Sequence, residues 1–523
     1  MINEKWIWVK RQDGKKEKIA PWEITDELDS NPVISLAASR PDFNGSLIQF
    51  LIGLAQTIMS PRNERGWRKY FTNPPKTDDL HVMFEEVSDA FNLDGENERF
   101  MQDYESFEGV ENRVEALLME MPGEKTLKDN TDHFIKRDYI SKMCIPCCAT
   151  ALFNLQLNAP SGGQGHRTSL RGGGPLTTLV LGNNLWQTIW LNVITEENFE
   201  RLGDVSKTQI GDIFPWMKPT RTSEKKGMET TPMDVNPKQM YWGMPRRISL
   251  DFDNIKEGFC DVCGCSSDGL VSDYITKNYG INYEGGWCHV LSPHSETKDA
   301  LLPRHPQPGG ITYRHWLGLV QNDPERGQHP SLALEKFINK QQDLVKLDDV
   351  FQYPPQLWTF GYDFDNMKVR CWYENTMPLF NVPDQIRLSY ESVISQLVKT
   401  AEIIGYNTRS CIKQALFKDN SIKGDMSFID SRFWHDTEPE FYRVLNKLIQ
   451  ELENNPDVAD LKIQWVRTLS KVSVKLYDEY SQSMQLSVVD PEKVAIARRD
   501  LRRYNSEGGK KIRETLGLPN SKE

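Results

Sequence analysis

The sequence lacks any apolar stretch long enough to span a bilayer. Its longest apolar helical run, Leu47 to Met59, is broken by Gln49, Gly53, Gln56 and Thr57, whereas a transmembrane helix needs about 20 consecutive, mostly apolar residues. No charged-then-apolar leader opens the chain, which begins Met1-Ile2-Asn3-Glu4-Lys5, so a cytoplasmic protein with no membrane partner is expected. An excess of positive charge is also missing: 63 Lys and Arg stand against 74 Asp and Glu, a formal net charge of −11. That argues against a free-standing nucleic-acid coat, although basic groups can still cluster where a phosphate backbone lies. Nucleotide-binding and hydrolytic signatures are absent too: no Gly-Lys-Ser/Thr opens a helix, and no zincin pattern occurs. His435-Asp436 is an HD dipeptide, but the further His and Asp ligands of a metal-dependent phosphohydrolase do not stand out among nine histidines. No catalytic residue, and no enzyme, is expected.

What is present points to more than one domain, since 523 residues exceed what a single core usually supports. Trp6-Ile7-Trp8-Val9, followed by Asp13-Gly14 and a Lys-rich return, reads as a β-hairpin. Ser46 to Ser60 reads as a buried helix stopped by Pro61. Short strand-like runs then alternate with irregular stretches such as Lys218 to Met240 and Ser292 to Thr312. From about Pro383 the spacing becomes helical, over Ile386–Leu416, Pro439–Glu453, Val458–Tyr480 and Pro491–Tyr504, the last with Asp490 as N-cap. The expected fold class is α+β: a mixed α/β body over residues 1–380, then a four-helix bundle over 381–523 with a frayed tail after Gly508.

Nine cysteines, an odd number, do not suggest a disulfide framework. Cys144-Ile-Pro-Cys147 and Cys260-Asp-Val-Cys263 are instead two C-x-x-C pairs, each able to point two sulfurs at one centre. Together they predict a closed, structural four-cysteine Zn²⁺ site. Cys148 and Cys265 give the register some slack, and Cys288, Cys371 and Cys411 are expected as buried fillers. After the first pair comes a glycine-rich segment containing Gly162, Gly163, Gly165, Arg167 and Arg171, then Gly172-Gly173-Gly174-Pro175. Such a backbone can approach something flat or charged, with arginines for phosphate; a flexible exposed loop is the alternative.

The stretch Cys144 to Leu181, with Ala-Leu-Phe-Asn, Ala-Pro, the glycine cluster and Leu-Arg-Gly-Gly, closely resembles the CasA family, the large subunit of type I-E CRISPR surveillance (Cascade) complexes. The similarity continues through Pro215-Trp216-Met217-Lys218-Pro219, Ser292-Pro293-His294-Ser295, Gly361-Tyr362 and Thr437-Glu438 to Arg443. The resemblance implies a non-catalytic subunit that works with crRNA and the other Cascade subunits. It would read the protospacer-adjacent motif of target double-stranded DNA from the minor groove, start strand separation and help recruit a helicase–nuclease. Ser161 to Gly165 take the place of the family's glycine loop, Lys277 (with Asn278 beside it) that of its lysine finger, and Asp363 to Met367 that of its wedge, with Asp365 and Asn366 at the tip. The region Asp129 to Ser141, with His133, Phe134, Lys136, Arg137 and Tyr139, corresponds to a crRNA-facing loop, and Arg498, Arg499, Arg502 and Arg503 form a basic face on the last bundle helix. A zinc-stapled assembly scaffold that does not touch DNA is the competing expectation.

Overall fold

The computed structural model describes residues 1–122, 126, 128–129, 139–298, 300–345, 354–417, 426–454, 457–482 and 490–519. Two compact units emerge, which divide the chain differently from a cut at residue 380. The first comprises Met1–Pro306, Pro330–Lys340 and Leu347–Glu374, the second Gln307–His329, Gln341–Lys346 and Asn375–Glu523.

In the first unit the opening hairpin pairs Ile7–Arg11 with Lys16–Ile19, and Val33–Leu36 adds a third strand on the other side. Gly14 adopts a φ of 89° at the turn, a value open to glycine without strain. The central helix runs from Pro41 to Met59, five residues earlier than the pattern predicts, because Pro41 sits at the first helical position. It is buried on almost every side, which explains why its apolar residues do not form a single stripe. Phe50 on this helix is the hub of the core, meeting Trp6, Phe91, Phe100, Phe153 and Trp242 edge-on at 5.5–6.0 Å. Edge-to-face geometry of this kind places ring edges against π faces and adds to the burial of the rings themselves.

Helix Ile145–Asn158 packs on this central helix through a polar relay. The Ser46 hydroxyl donates to Asn154 Oδ1 at 2.9 Å, Asn154 Nδ2 donates to the Tyr362 hydroxyl at 2.9 Å, and that hydroxyl donates to Asp42 Oδ2 at 2.6 Å. Burial pushes the Tyr362 hydroxyl well above its ordinary range, so it stays a donor. Strand Thr177–Leu181 pairs antiparallel with Gln356–Asp365, which forms a long hairpin with Lys368–Pro378.

The second unit is built on helix Asp384–Leu416, against which Ser427–Asn454, Ala459–Gln482 and Pro491–Tyr504 pack. The N-cap at Asp490 is observed, accepting from the amides of Glu492 and Lys493. Two expectations are corrected. The second helix starts at Ser427, not Pro439, because a proline within a helix loses one backbone bond without ending it. The tail after Gly508 contains a further helix, Lys510–Leu516, closed by Gly517 at φ 64° and tied down by Lys462 Nζ to the Leu516 carbonyl at 2.8 Å. Segment Gln307–His329 joins this unit through Tyr313, which stacks on Phe441 at 4.3 Å and shares a hydrogen bond with the Thr437 hydroxyl at 2.7 Å.

Candidate metal centre and nucleic-acid interface

The two C-x-x-C pairs are brought together by strand pairing. Met143–Cys144 lies antiparallel to Ser266–Val271, with Cys144 opposite Leu270, and Ser266–Val271 also pairs with Lys256–Phe259. Cys144 caps helix Ile145–Asn158 and Cys147 sits in its first turn. Cys260 and Cys263 lie on the turn between the other two strands, closed by the Cys260 amide to the Cys265 carbonyl at 2.9 Å and by Gly264 at φ 71°. Asp261 clamps the pair from outside, accepting from the amides of Ser141 and Lys142 at 2.8 and 3.0 Å.

The four sulfurs of Cys144, Cys147, Cys260 and Cys263 all lie within 4.8 Å of one another, and Cys144 and Cys263 are 3.7 Å apart. Sulfurs at about 2.3 Å from a tetrahedral zinc would stand about 3.8 Å apart. An all-sulfur set with no carboxylate among its ligands suits a structural metal. Thiol donors from Cys144, Cys147 and Cys263 hold the Cys260 sulfur far toward the thiolate, while the same network pushes the Cys147 thiol up. Cys148 points instead into the core, fully buried, and Cys265 stays outside the cluster. Cys411 is buried and Cys288 half-buried, but Cys371 is exposed on the hairpin strand, contrary to its expected role as a filler. Among the described residues no other group of His, Cys, Asp or Glu gathers in a metal-binding arrangement. His435 is exposed, and Asp436 is bound by Arg432 at 2.9 Å.

The glycine-rich segment leaves helix Ile145–Asn158 and folds back on itself. The Ser169 amide donates to the Ala159 carbonyl at 2.9 Å, the Gly174 amide to Asn158 at 3.0 Å, and the Gly162 amide to His166 at 3.2 Å. Its tip, Ser161 to Gln164, is exposed. Gly163 and Gly165 hold φ values of 88° and 78°. Around Gly163 nothing lies within 4 Å of a would-be Cβ, whereas one at Gly165 would sit 2.8 Å from Asn278 Cβ. The glycine turn and the turn after Lys277 are in direct contact: the Tyr279 amide donates to the Gly165 carbonyl at 2.7 Å, and Gln164 Nε2 to the Tyr279 hydroxyl at 3.1 Å. Lys277 ends strand Asp273–Lys277, opposite Arg247, and is exposed with no ion-pair partner among the described residues.

The far end of the same segment touches the hairpin. A Cβ on Gly174 would lie 2.5 Å from Phe364 and 2.6 Å from the Tyr362 carbonyl. The hairpin tip is Asn366-Met367, with φ of 45° and 74°. Two positive values in a two-residue turn are the type I′ signature, natural for Asn and unusual for Met. Met367 is 53% exposed. Arg370 binds Asp363 in a fork at 2.7 and 3.1 Å and lies 3.6 Å from Asp365, so the tip's acidic charge is offset locally.

The arginines of the segment do not behave alike. Arg167 is half-buried and donates twice to Ser223, at 2.7 and 3.1 Å, bracing the segment. Arg171 does not reach a surface at all: it is 2% exposed and bonds Thr177 and Ser292 at 3.0 Å and Gln49 at 2.5 Å. Its placement as a DNA contact is therefore corrected; burial, which pushes it down to about 9, makes it a strut between the glycine segment and the central helix. Sequence reasoning missed Arg246, which lies under Gly162, and Tyr279, which locks the glycine turn. Adjacent arginines at the head of a strand were the available signal, but which of them lacks an acid partner is visible only in three dimensions. Residues 130–138, including His133, Phe134, Lys136 and Arg137, lie outside the described residues. On the last bundle helix Arg498 forks onto Asp478 at 2.6 and 2.7 Å, and Asp500 draws Arg499 and Arg503 to 3.2 and 3.6 Å, so much of that basic face is neutralised.

The family model for CRISPR-associated protein Cse1 matches residues 1–476. Among solved structures, Thermobifida fusca Cse1 superposes with a TM-score of 0.71 at 14% identity, covering 99% of this chain and 98% of that one. Thermus thermophilus CasA gives 0.68 at 17% identity, covering 96% and 98%. A chain of a CRISPR RNA-guided surveillance complex gives 0.65 at 15% identity, with 96% and 98% covered. At these identities the structural likeness speaks for the fold, and the family match speaks for descent. The chain belongs to the Cse1 (CasA) family of CRISPR-associated proteins, the large subunits of type I-E Cascade.

Proposed function

We propose that this subunit, without chemistry of its own, reads a protospacer-adjacent motif in duplex DNA from the minor groove and begins strand separation. The observation that carries this reading is the meeting of three features on one segment: an exposed glycine turn, the turn after exposed Lys277, and the hairpin ending in Asn366-Met367. A bare backbone can enter a minor groove about 6 Å wide and sense its width and the guanine amino group, giving a tolerant preference. Lys277 supplies a cation for the flanking phosphates. Phe364 and Met367 offer apolar atoms that can wedge between base steps, with Asp365 and Asn366 at the tip, at a cost of roughly a few kcal/mol per step.

In this division of labour the guide RNA reads the target by pairing, and the protein licenses the site. The four-cysteine cluster holds a structural zinc, which fixes the start of helix Ile145–Asn158 and so the stem of the glycine segment. crRNA and the other Cascade subunits are its standing partners and a helicase–nuclease a transient one, all in the cytoplasm. Among the described residues no helix is long and apolar enough to cross a membrane. The test is to replace Gly162, Gly163 and Lys277 together. Recognition predicts an assembled complex that no longer selects its flanking motif; unchanged selectivity would leave a scaffold role.

A further inference from the structure

Two adjacent arginines head the strand Arg247–Leu250, and the fold treats them oppositely. Arg247 is neutralised by buried Asp103, with Glu224 3.7 Å away. Arg246 has no carboxylate partner among the described residues. Its Nη2 donates to the Pro160 carbonyl, its Nε finds no hydrogen-bond partner, and its Nη1 lies 2.9 Å from where a Cβ on Gly162 would be. The His166 Cβ stands equally close to that point, and the Arg246 charge acts on the His166 imidazole, so both side chains lie against the glycine turn. Burial with no acid nearby pushes Arg246 down to about 10, and burial together with the Arg246 charge holds His166 below its usual range. The amides of Gly163, Gln164 and Gly165 donate to no group among the described residues.

A desolvated cation without a counter-ion is unfavourable by itself and becomes favourable once an anion arrives. Free amides beside a positive-φ glycine are a recurrent anion cradle. We infer that Arg246 is the phosphate anchor of the glycine turn: a backbone phosphate of the bound nucleic acid docks on the amides of Gly163, Gln164 and Gly165 and is neutralised by this guanidinium. The glycine at 162 is then required because any side chain there would cover the Arg246 charge. The inference rests on the reading that this turn meets DNA and adds the group that binds the phosphate.

The experiment measures duplex affinity of the crRNA-loaded complex against salt. Neutralising one phosphate contributes a slope of about 0.9 in log K against log salt. R246Q is expected to flatten the slope by that amount, and R246K to keep it. An R246Q complex that assembles and keeps the full slope overturns the inference. Should R246Q fail to assemble, Gly163→Asp and Gly163→Asn decide, since both side chains tolerate a left-handed backbone and differ in charge. The aspartate is expected to bind about tenfold more weakly than the asparagine at low salt, from repulsion of the phosphate; equal binding overturns the inference. Motif-selective binding that depends on this chain is established first with the unmodified complex. Its absence sinks the recognition reading, whereas its presence without any charge effect sinks only the anchor.

Discussion

Replacing Gly165 with alanine separates the two ways in which the glycine turn uses its glycines. At φ 78° an alanine pays about 1 kcal/mol for a left-handed backbone. Its Cβ would also stand 2.8 Å from Asn278 Cβ and 3.1 Å from both Tyr279 Cδ1 and the Tyr279 amide nitrogen. Overpacking of that kind costs about 1–3 kcal/mol. Gly163→Ala is the matched control: its φ of 88° carries the same backbone strain, but nothing lies within 4 Å. Gly163→Ala should therefore lower stability by about 1 kcal/mol, and Gly165→Ala by about 2–4 kcal/mol. Part of that difference can emerge as displacement of the turn from Lys277, and so as lost duplex affinity. Denaturant unfolding of each variant chain, followed by duplex binding in the complex, measures both. Equal stability and equal binding for the two variants would refute the contact between the glycine turn and Asn278–Tyr279.

Other outcomes follow from the same structure. Cys260→Ser, or metal removal, should abolish folding of the first unit, since a four-thiolate zinc contributes on the order of 10 kcal/mol; elemental analysis should find one zinc per chain. Asp103→Asn removes the buried partner of Arg247 and leaves only the more exposed Glu224 at 3.7 Å, and should cost about 3 kcal/mol in unfolding free energy. His289 is fully buried and desolvation holds it well below its ordinary pKa. The unfolded chain therefore takes up a proton first as pH falls, and stability present above about pH 6.5 should drop by about 1.4 kcal/mol per unit below it. His289→Asn should flatten that slope in unfolding curves measured across pH. Tyr313→Ala empties the site between Trp434 and Phe441 and should destabilise the second unit by about 3 kcal/mol; an unaltered unfolding curve would place Gln307–His329 outside that unit.

Local signals were legible in the sequence wherever one residue type determines one geometry. The two C-x-x-C turns marked the four-sulfur cluster, Asp13-Gly14 the first hairpin, and Asp490-Pro491 the start of a helix. What could not be read was whatever depends on partners distant in the chain. Arg171 looked like a phosphate ligand because an arginine among glycines has no local sign of burial, yet Gln49 and Ser292 enclose it. The helical unit recruits Tyr313 from a short helical turn just beyond the irregular stretch Ser292 to Thr312, and Pro439 rides inside a helix. Arg246 and Arg247 are identical in sequence terms; the positions of Asp103 and Glu224 pair one and leave the other without a carboxylate partner among the described residues.

The central claim is that this subunit makes the complex selective for a flanking motif. Its most direct test is target-duplex binding by the crRNA-loaded complex, with and without this chain, across a library of flanking sequences. Binding that becomes tight and motif-selective only with the chain present is the predicted result. Binding equally tight and equally selective without it would contradict the account.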